Sequence, residues 1–492
     1  MTERLVAAFY GDDFTGASDA LGQFHRWGLR TILLFDVPGG STVRDLGDDY
    51  DVIGVAGVAR SLPPALMEAE VAPALEAFRS AGVRVVQYKM CSTADSSPRL
   101  GSLGRAVEIG RSVFGERPVP LLVAQPELGR YTAFGHHFAV EQGVVHRLDR
   151  QPTMSHHPAT PMTESDLRIH LRQQTALPVA GLDMTVYELP ADKARERYHG
   201  LLAERPGVVA FDAVTQRQLP QAADLMVTGS AGDTLYALGS GGLSYGLGAQ
   251  LAGRPVGAGG VVRTGAGGLG VGAAGLTGAA ATLVVSGSCS GQTATQISYA
   301  LARGWEGVRV DVDADHGADT SRAALGRLRD RVLAALRHGG RVIAYTAAPT
   351  ARPRRGTGNG TAVDQIGSIG TTLGHVVREA VACAGVRRIV VAGGDTSGRV
   401  MRELGAQGAE VQSFLGPGAV LCRLRSPDSA VHGVTVLLKG GQIGPADLLE
   451  RVRLGTTSHD PVAGSPGPVT GGSGALADEP GPAGASETVS GR

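Results

Sequence analysis

One arrangement recurs along this chain: an apolar run of strand length, a break of glycine with an acid or a hydroxyl, then a segment with helical spacing. It opens the sequence, where residues 5–9 lead into Gly11-Asp12-Asp13 and then Ala17, Leu21 and Phe24. It returns where residues 282–285 precede Ser286-Gly287-Ser288-Cys289-Ser290-Gly291, and where residues 389–392 precede Gly393-Gly394-Asp395-Thr396-Ser397-Gly398. Short continuous apolar runs suit strands buried on both faces. Strands that alternate with helices pack as a mostly parallel sheet covered by those helices. In such sheets ligands gather where strands end and helices begin. The pattern predicts an α/β fold and directs attention to the strand exits. Thr15 or Ser18 reads as the cap of the first helix. Asp12 and Asp13, taken alone, read as turn formers as readily as chemical groups.

At 492 residues the chain exceeds one ordinary core. Two α/β domains with mostly parallel sheets, joined by a Gly-rich linker, are expected. Residues 1–252 read as the first domain, 253–281 as the Gly/Ala-rich linker and 282–457 as the second domain. Residues 458–492 lack periodicity and read as a disordered tail. The linker holds two G-x-G-x-x-G matches, from Gly265 and from Gly270, but no firm strand precedes them and no acid follows at the required distance. They are not read as dinucleotide fingerprints.

Formal net charge is zero, which predicts no nucleic-acid partner and no membrane-surface partner. No apolar run approaches a membrane span and no secretory pattern opens the chain, so a cytoplasmic location is expected. Cys91, Cys289, Cys383 and Cys422 are scattered, which predicts neither a zinc site nor a disulfide framework. Residues 135–162, rich in His and Pro, read as a long loop, and residues 225–228 as a strand. The paired histidines have no carboxylate or cysteine at metal-site spacing, and no metal site is expected there.

Lys and Arg total 46, yet lysine stands only at 89, 193 and 439. Arginine serves elsewhere as the general cation, so a retained lysine at a strand end points to a need for a compact ammonium. Lys89 ends the apolar run 83–88, and Lys439 ends the run 434–438. Arg60 follows the run 52–58, and Asp95 lies in the tail after Lys89. Asp12, Arg60, Lys89 and Asp95 then fall near one carboxyl edge, a set suited to a small anionic ligand bearing hydroxyls. In the second half, two glycine turns with hydroxyls stand at helix starts, where backbone N–H groups receive phosphate. The G-x-x-x-x-G-K-[ST] pattern is absent.

On these residues the chain resembles the four-carbon acid sugar kinase family. The resemblance rests on Asp12-Asp13-Phe14-Thr15-Gly16-Ala17, on residues 89–97, on Gly287-Ser288-Cys289-Ser290, on Gly393-Gly394-Asp395-Thr396-Ser397 and on Lys439-Gly440-Gly441, in order over residues 5–450. It implies an N-terminal acid-sugar domain, a C-terminal nucleotide domain and transfer of a phosphoryl group from ATP, with Mg2+, to a terminal hydroxyl of a small sugar acid. Ser288, Gly393, Gly394, Asp395, Thr396 and Gly441 match its ATP-binding positions. Ser290 would add its backbone to that cradle, and Lys439 would neutralise phosphate charge. Arg60, Lys89 and Asp95 fall on the substrate side, where Arg60, with Lys89 second, is expected to hold the substrate carboxylate. Asp12 is the expected catalytic group, orienting or deprotonating the attacking hydroxyl, with Asp13 second. Asp395 reads either as a Mg2+ contact through water or as a cap of its helix. The expected partners are the sugar acid and ATP, with a homodimer as the expected assembly.

The chain departs from the family pattern in two places. A D-S-T-L-R-G-like run is replaced by Cys91-Ser92-Thr93-Ala94-Asp95-Ser96-Ser97-Pro98, and K-S-G-N-F-G by Lys439-Gly440-Gly441-Gln442-Ile443-Gly444. The first change lies in the substrate half and resembles a branch associated with branched or oxidised acids such as 3-oxo-isoapionate. Two other readings stay open. Cys289 within G-x-C-x-G resembles a nucleophile elbow, with His375 or His432 downstream, as in an α/β hydrolase. A non-catalytic sensor of sugar acid or nucleotide is the third.

Overall fold

The computed structural model describes residues 5–253, 278–288, 290–310, 318–346 and 362–456. Most of the expected linker, both glycine fingerprints, the whole expected tail and Cys289 lie outside the described residues.

Strands in the first half are Ala7–Gly11 (β1), Thr31–Leu34 (β2), Val52–Ala56 (β3), Val85–Lys89 (β4), Val119–Leu122 (β5), Arg130–Ala133 (β6), His136–Glu141 (β7), Val144–Arg147 (β8), Val179–Leu182 (β9), Val208–Phe211 (β10) and Leu235–Gly239 (β11). In the second half they are Thr282–Ser286 (β12), Glu306–Arg309 (β13), Arg341–Tyr345 (β14), Arg388–Ala392 (β15), Gly408–Gly416 (β16), Ala419–Arg425 (β17) and Thr435–Lys439 (β18). Helices pack on both faces; among the described residues one core spans both halves on one face, and two further cores, one per half, lie apart from it. In β1 the side chains alternate between the shared core and that of the first half: Ala7 and Phe9 enter the shared one, Ala8 and Tyr10 the other. That is why an uninterrupted apolar run was needed at the start of the chain.

The expected α/β class holds, and the two halves share one sheet of fifteen strands, in the order β13-β14-β12-β15-β18-β17-β16-β2-β3-β1-β4-β11-β5-β10-β9. Each end of it is parallel. The join is the antiparallel hairpin β16–β17, which pairs with β18 on one side and β2 on the other. The two parallel sets consequently run in opposite senses. Six strand-to-strand steps separate β15 from β1. At roughly 20–25° of twist per step, a turn of about 120–150° accumulates. Such a turn brings the two carboxyl edges round toward each other.

The helix Phe14–His25 is the wedge at this junction. A Cβ on Gly22 would stand 2.3 Å from Val420 Cγ2, and one on Gly398 would stand 3.0 Å from the Phe14 ring. The helix can press this close because glycine occupies both points of approach. Its N-cap is Asp13, whose side chain accepts from the Gly16 N–H, while Thr15 and Ser18 lie inside the helix. The expected cap was thus displaced by an acid two residues earlier.

Two local expectations are corrected. Residues 135–162 are not one long loop, because β7 pairs there with β6 on one side and with β8 on the other in a separate three-stranded sheet. Residues 225–228 lie in the helix Gln218–Gly229 and not in a strand. The β16–β17 hairpin carries polar residues on strands with register shifts, which breaks the period-2 signal. Among the described residues no helix is long and apolar enough to cross a membrane.

Candidate active site

Backbone ladders continue past the strand ends in the N-terminal lobe and fix four side chains. The Asp12 N–H donates to Lys89 O at 2.9 Å, and the Arg60 N–H to Asp12 O at 3.1 Å. Arg60, just beyond β3, places Nη2 at 2.5 Å from Asp12 Oδ1 and 2.9 Å from Asp13 Oδ1. Its Nε lies 3.3 Å from Asp12 Oδ2. Lys89 closes β4, donates from Nζ to Met90 O at 3.0 Å and stands 3.9 Å from Asp19 Oδ2. Asp12, Asp13 and Lys89 are all buried. Gly16 makes room for them: a Cβ there would lie 2.5 Å from Asp13 Oδ1 and 3.0 Å from Lys89 Nζ.

The adjacent carboxyls differ in proton affinity. Burial pushes Asp12 up to about 6, against the pull of Arg60. Burial works to raise Asp13 too, but Arg60, the Thr15 hydroxyl, Lys89 and the Gly16 N–H outweigh it and hold that carboxyl below its ordinary value. One acid is poised near neutrality beside one kept ionised, the kind of separation that divides acid–base roles. Asp95 is one step away. It takes a hydrogen bond from Thr160 Oγ1, lies 3.8 Å from His157 Nδ1 and reaches Arg60 only through its field.

The C-terminal lobe presents glycines and hydroxyls. Ser290 caps the helix Gly291–Leu301 by accepting from the Thr293 N–H. It also donates to Gly441 O. The Ser290 N–H in turn donates to Ser288 Oγ at 3.3 Å. A Cβ on Gly441 would stand 2.7 Å from Ser288 Oγ, and one on Gly287 would stand 2.4 Å from Thr396 Oγ1. Gly393 turns into the helix Gly394–Glu403 at φ +119°, a conformation that favours glycine. Lys439 ends β18 fully buried, and its Nζ donates to Thr293 Oγ1 at 2.9 Å. Burial lowers this ammonium to about 7.

The two groups of residues meet. A Cβ on Gly394 would lie 2.8 Å from Asp13 Oδ2, so Asp13 sits against the start of the Gly394–Glu403 helix. Ser61 Oγ donates to Asp395 Oδ1 at 2.7 Å, and Ser18 Oγ to Leu438 O at 3.3 Å. All thirteen residues singled out from the sequence therefore occupy one neighbourhood, with Asp95 at its margin. Gly16, Ser61, Thr293, Arg130 and Gln442 join this neighbourhood without a role assigned from the sequence. For Thr293 a signal existed, since it stands three residues after a helix-capping serine. For Ser61 and Arg130 it did not, because their partners are hundreds of residues away.

Two family models match the chain, a sugar-binding N-terminal domain over residues 7–247 and a nucleotide-binding C-terminal domain over residues 283–449. The chain is 36% identical over 466 residues to a 3-oxo-isoapionate kinase of Paraburkholderia graminis, covering 92% of this chain and 94% of that one. It is 31% identical over 449 residues to a 3-oxo-tetronate kinase of Methylobacterium radiotolerans, covering 91% and 98%. A solved protein of Salmonella typhimurium LT2 superposes with a TM-score of 0.71 at 24% identity, over 91% of this chain and 98% of that one, which speaks for the fold alone. The chain belongs to the four-carbon acid sugar kinase family, and it is an ATP-dependent sugar-acid kinase. These relatives do not favour the hydrolase reading built on Cys289.

Proposed function

We propose that the substrate is a branched, oxidised sugar acid of the 3-oxo-isoapionate kind, with 3-oxo-tetronate-type acids as the next class. The observation that supports this most is the 36% identity to a 3-oxo-isoapionate kinase over nearly the whole of both chains. The altered run after Lys89 points the same way. In this reading residues 1–252 hold the acid and residues 282–457 hold ATP.

The chemistry is in-line transfer of the γ-phosphoryl group, where positioning and charge neutralisation do most of the work. Asp12, ionised above about pH 6, orients the attacking hydroxyl and takes its proton. Arg60 keeps Asp12 and Asp13 in place, and with Lys89 it supplies the positive field on which the acid settles. Asp95 lines the margin of that site. Backbone N–H groups from Ser288 to Ser290 and from Gly393 to Thr396 receive the phosphates, with Gly441 opposite and Lys439 beneath. Asp395, exposed in the first turn of its helix, is the residue that would hold Mg2+, directly or through water. When bound, Mg2+ would neutralise charge on the transferred group. Closure of the lobes excludes water from the transfer.

The test is a screen for ADP release over four-carbon and branched five-carbon sugar acids, including their 3-oxo forms. Turnover is expected to be highest with the branched 3-oxo acid. A preference for unbranched acids would reassign the substrate class.

A further inference from the structure

Arg130 stands at the start of β6, on the turn that leaves β5. That turn is closed by paired hydrogen bonds, with the Gln125 N–H donating to Arg130 O and the Arg130 N–H to Gln125 O. Strand β5 shares its direction and its sheet with β1, β3 and β4, so Arg130 lies along the same edge as Asp12, Arg60 and Lys89. Its Nη1 donates to the carbonyls of Leu128, Gly129 and Val140, at 3.0, 3.3 and 3.2 Å. Its Nη2 donates to Gln442 Oε1 of the other lobe at 3.0 Å, two residues beyond Gly440 in the segment opened by Lys439. The guanidinium therefore lies at the seam between the lobes.

Two facts set this cation apart. It is only 6% exposed, yet among the described residues it makes no ion pair. Its Nε is buried and has no hydrogen-bond partner. Glu141, whose field reaches it, is engaged by the Thr153 N–H and hydroxyl. A buried cation without a counter-charge is unfavourable, and a fork of N–H donors matches a carboxylate in two-point geometry. With Nη1 saturated, the open donors are Nε–H and one N–H of Nη2. The other substrate-side cations are already committed. Arg60 holds Asp12 and Asp13, and Lys89 serves Met90 O and faces Asp19.

We propose that Arg130 binds the carboxylate of the sugar acid, and that Gln442 holds the fork in line across the seam. The proposal rests on the kinase reading for its choice of anion. It makes Arg130 the residue that distinguishes an acid from the neutral polyol of the same skeleton.

The experiment measures binding by calorimetry for threonate, erythronate and a branched five-carbon acid, each against the corresponding alditol, in the full chain and in Arg130→Gln and Arg130→Lys. The parent is expected to favour the best acid over its alditol. Arg130→Gln is expected to weaken that acid about 10- to 100-fold and to leave alditol and ATP binding within about twofold. Arg130→Lys falls between, because it keeps the charge and loses the fork. It carries the same readout if loss of the Nη1 bonds prevents Arg130→Gln from folding. An acid preference absent in the parent or retained in the variants, an equal loss of acid and alditol, or a loss confined to ATP would each overturn the assignment. ADP release with unchanged acid preference in the variants refutes the fork alone. Acid-selective binding without ADP release for any acid refutes the kinase reading and leaves the fork standing.

Discussion

At the strand exits of the N-terminal lobe, Asp12, Asp13 and Asp19 interlock with Arg60 and Lys89. At the corresponding exits of the C-terminal lobe a single ammonium, Lys439, lies among glycines and hydroxyls and is bonded to Thr293. The first site carries its own counter-charges. The second gives its buried ammonium a hydroxyl partner and, among the described residues, no carboxylate within ion-pair distance. A buried ion pair holds groups in register, whereas a buried lone cation lowers its own pKa and becomes sensitive to whatever anion enters.

The comparison breaks most sharply at Asp12. Asp12→Asn is expected to lower kcat about 10^2- to 10^4-fold, the usual range for loss of a positioned acid–base group. Sugar-acid affinity should change by only a few fold. The parent rate should rise as pH passes about 6, because Asp12 must be ionised to accept a proton. That limb should vanish in the variant. Single-turnover rates across pH 5 to 8 check both, and near-normal turnover in Asp12→Asn would remove Asp12 from the chemistry.

Arg60→Met tests whether the N-terminal cluster is held by neutralisation. Losing the cation leaves two buried carboxylates facing each other, which is expected to cost about 3–5 kcal/mol at pH 7. Without Arg60 the folded-state pKa values of both acids move up. Groups raised in the folded state lend stability at low pH that is lost as pH rises through the raised values. The deficit should therefore shrink toward pH 4.5. Urea unfolding at pH 4.5 and 7.5 measures it, and a deficit that is the same at both would assign Arg60 a packing role.

How much of this was visible beforehand depends on the range of the interaction. The strand–turn–helix units at Asp12 and Gly393 were legible because apolar runs and glycine breaks are local signals. Lys89 and Lys439 stood out by their rarity in an Arg-rich chain. The β7–β8 pair was not legible, since its residues are polar or half exposed and His136-His137 reads as loop. Helix Gln218–Gly229 was mistaken at residues 225–228 because a short apolar run looks alike in a helix and a strand. The facing of Asp13 and Gly394 depends on twist accumulated through the β16–β17 join, which no local pattern encodes.

Lys439 sharpens the other half of the comparison. Its ammonium is lowered from about 10.5 to about 7 by burial, so at pH 8 it is mostly neutral in the free protein. If the triphosphate seats beside it, as proposed, that pKa rises, and ATP binding should take up a proton. Calorimetry at pH 8 in buffers of different ionisation enthalpy reads this uptake directly. In Lys439→Met the uptake should disappear and ATP should bind about tenfold more weakly, with acid binding unchanged. The ligand-free parent should also gain stability as pH rises from about 7 toward about 10.5, because the unfolded chain holds the proton more tightly over that window. Uptake that survives the substitution would place the titrating group elsewhere.

The smallest effect is expected where the two lobes touch, at Ser61 and Asp395. Ser61→Ala removes one exposed hydrogen bond across the seam and should change kcat/KM by about two- to threefold. Asp395→Asn separates the two readings of that carboxylate. If Asp395 only accepts from Ser61 and caps its helix, the two single variants should behave alike, and the double variant should add little because both remove the same bond. If Asp395 also meets Mg2+, its variant should lose far more than Ser61→Ala, and raising Mg2+ should recover part of the loss. Steady-state rates of the two single variants and the double, titrated with Mg2+, decide between a latch and a metal contact. A latch alone would mean that the C-terminal lobe contributes no carboxylate to the reaction, and that every acid acting on the transferred group comes from the N-terminal side.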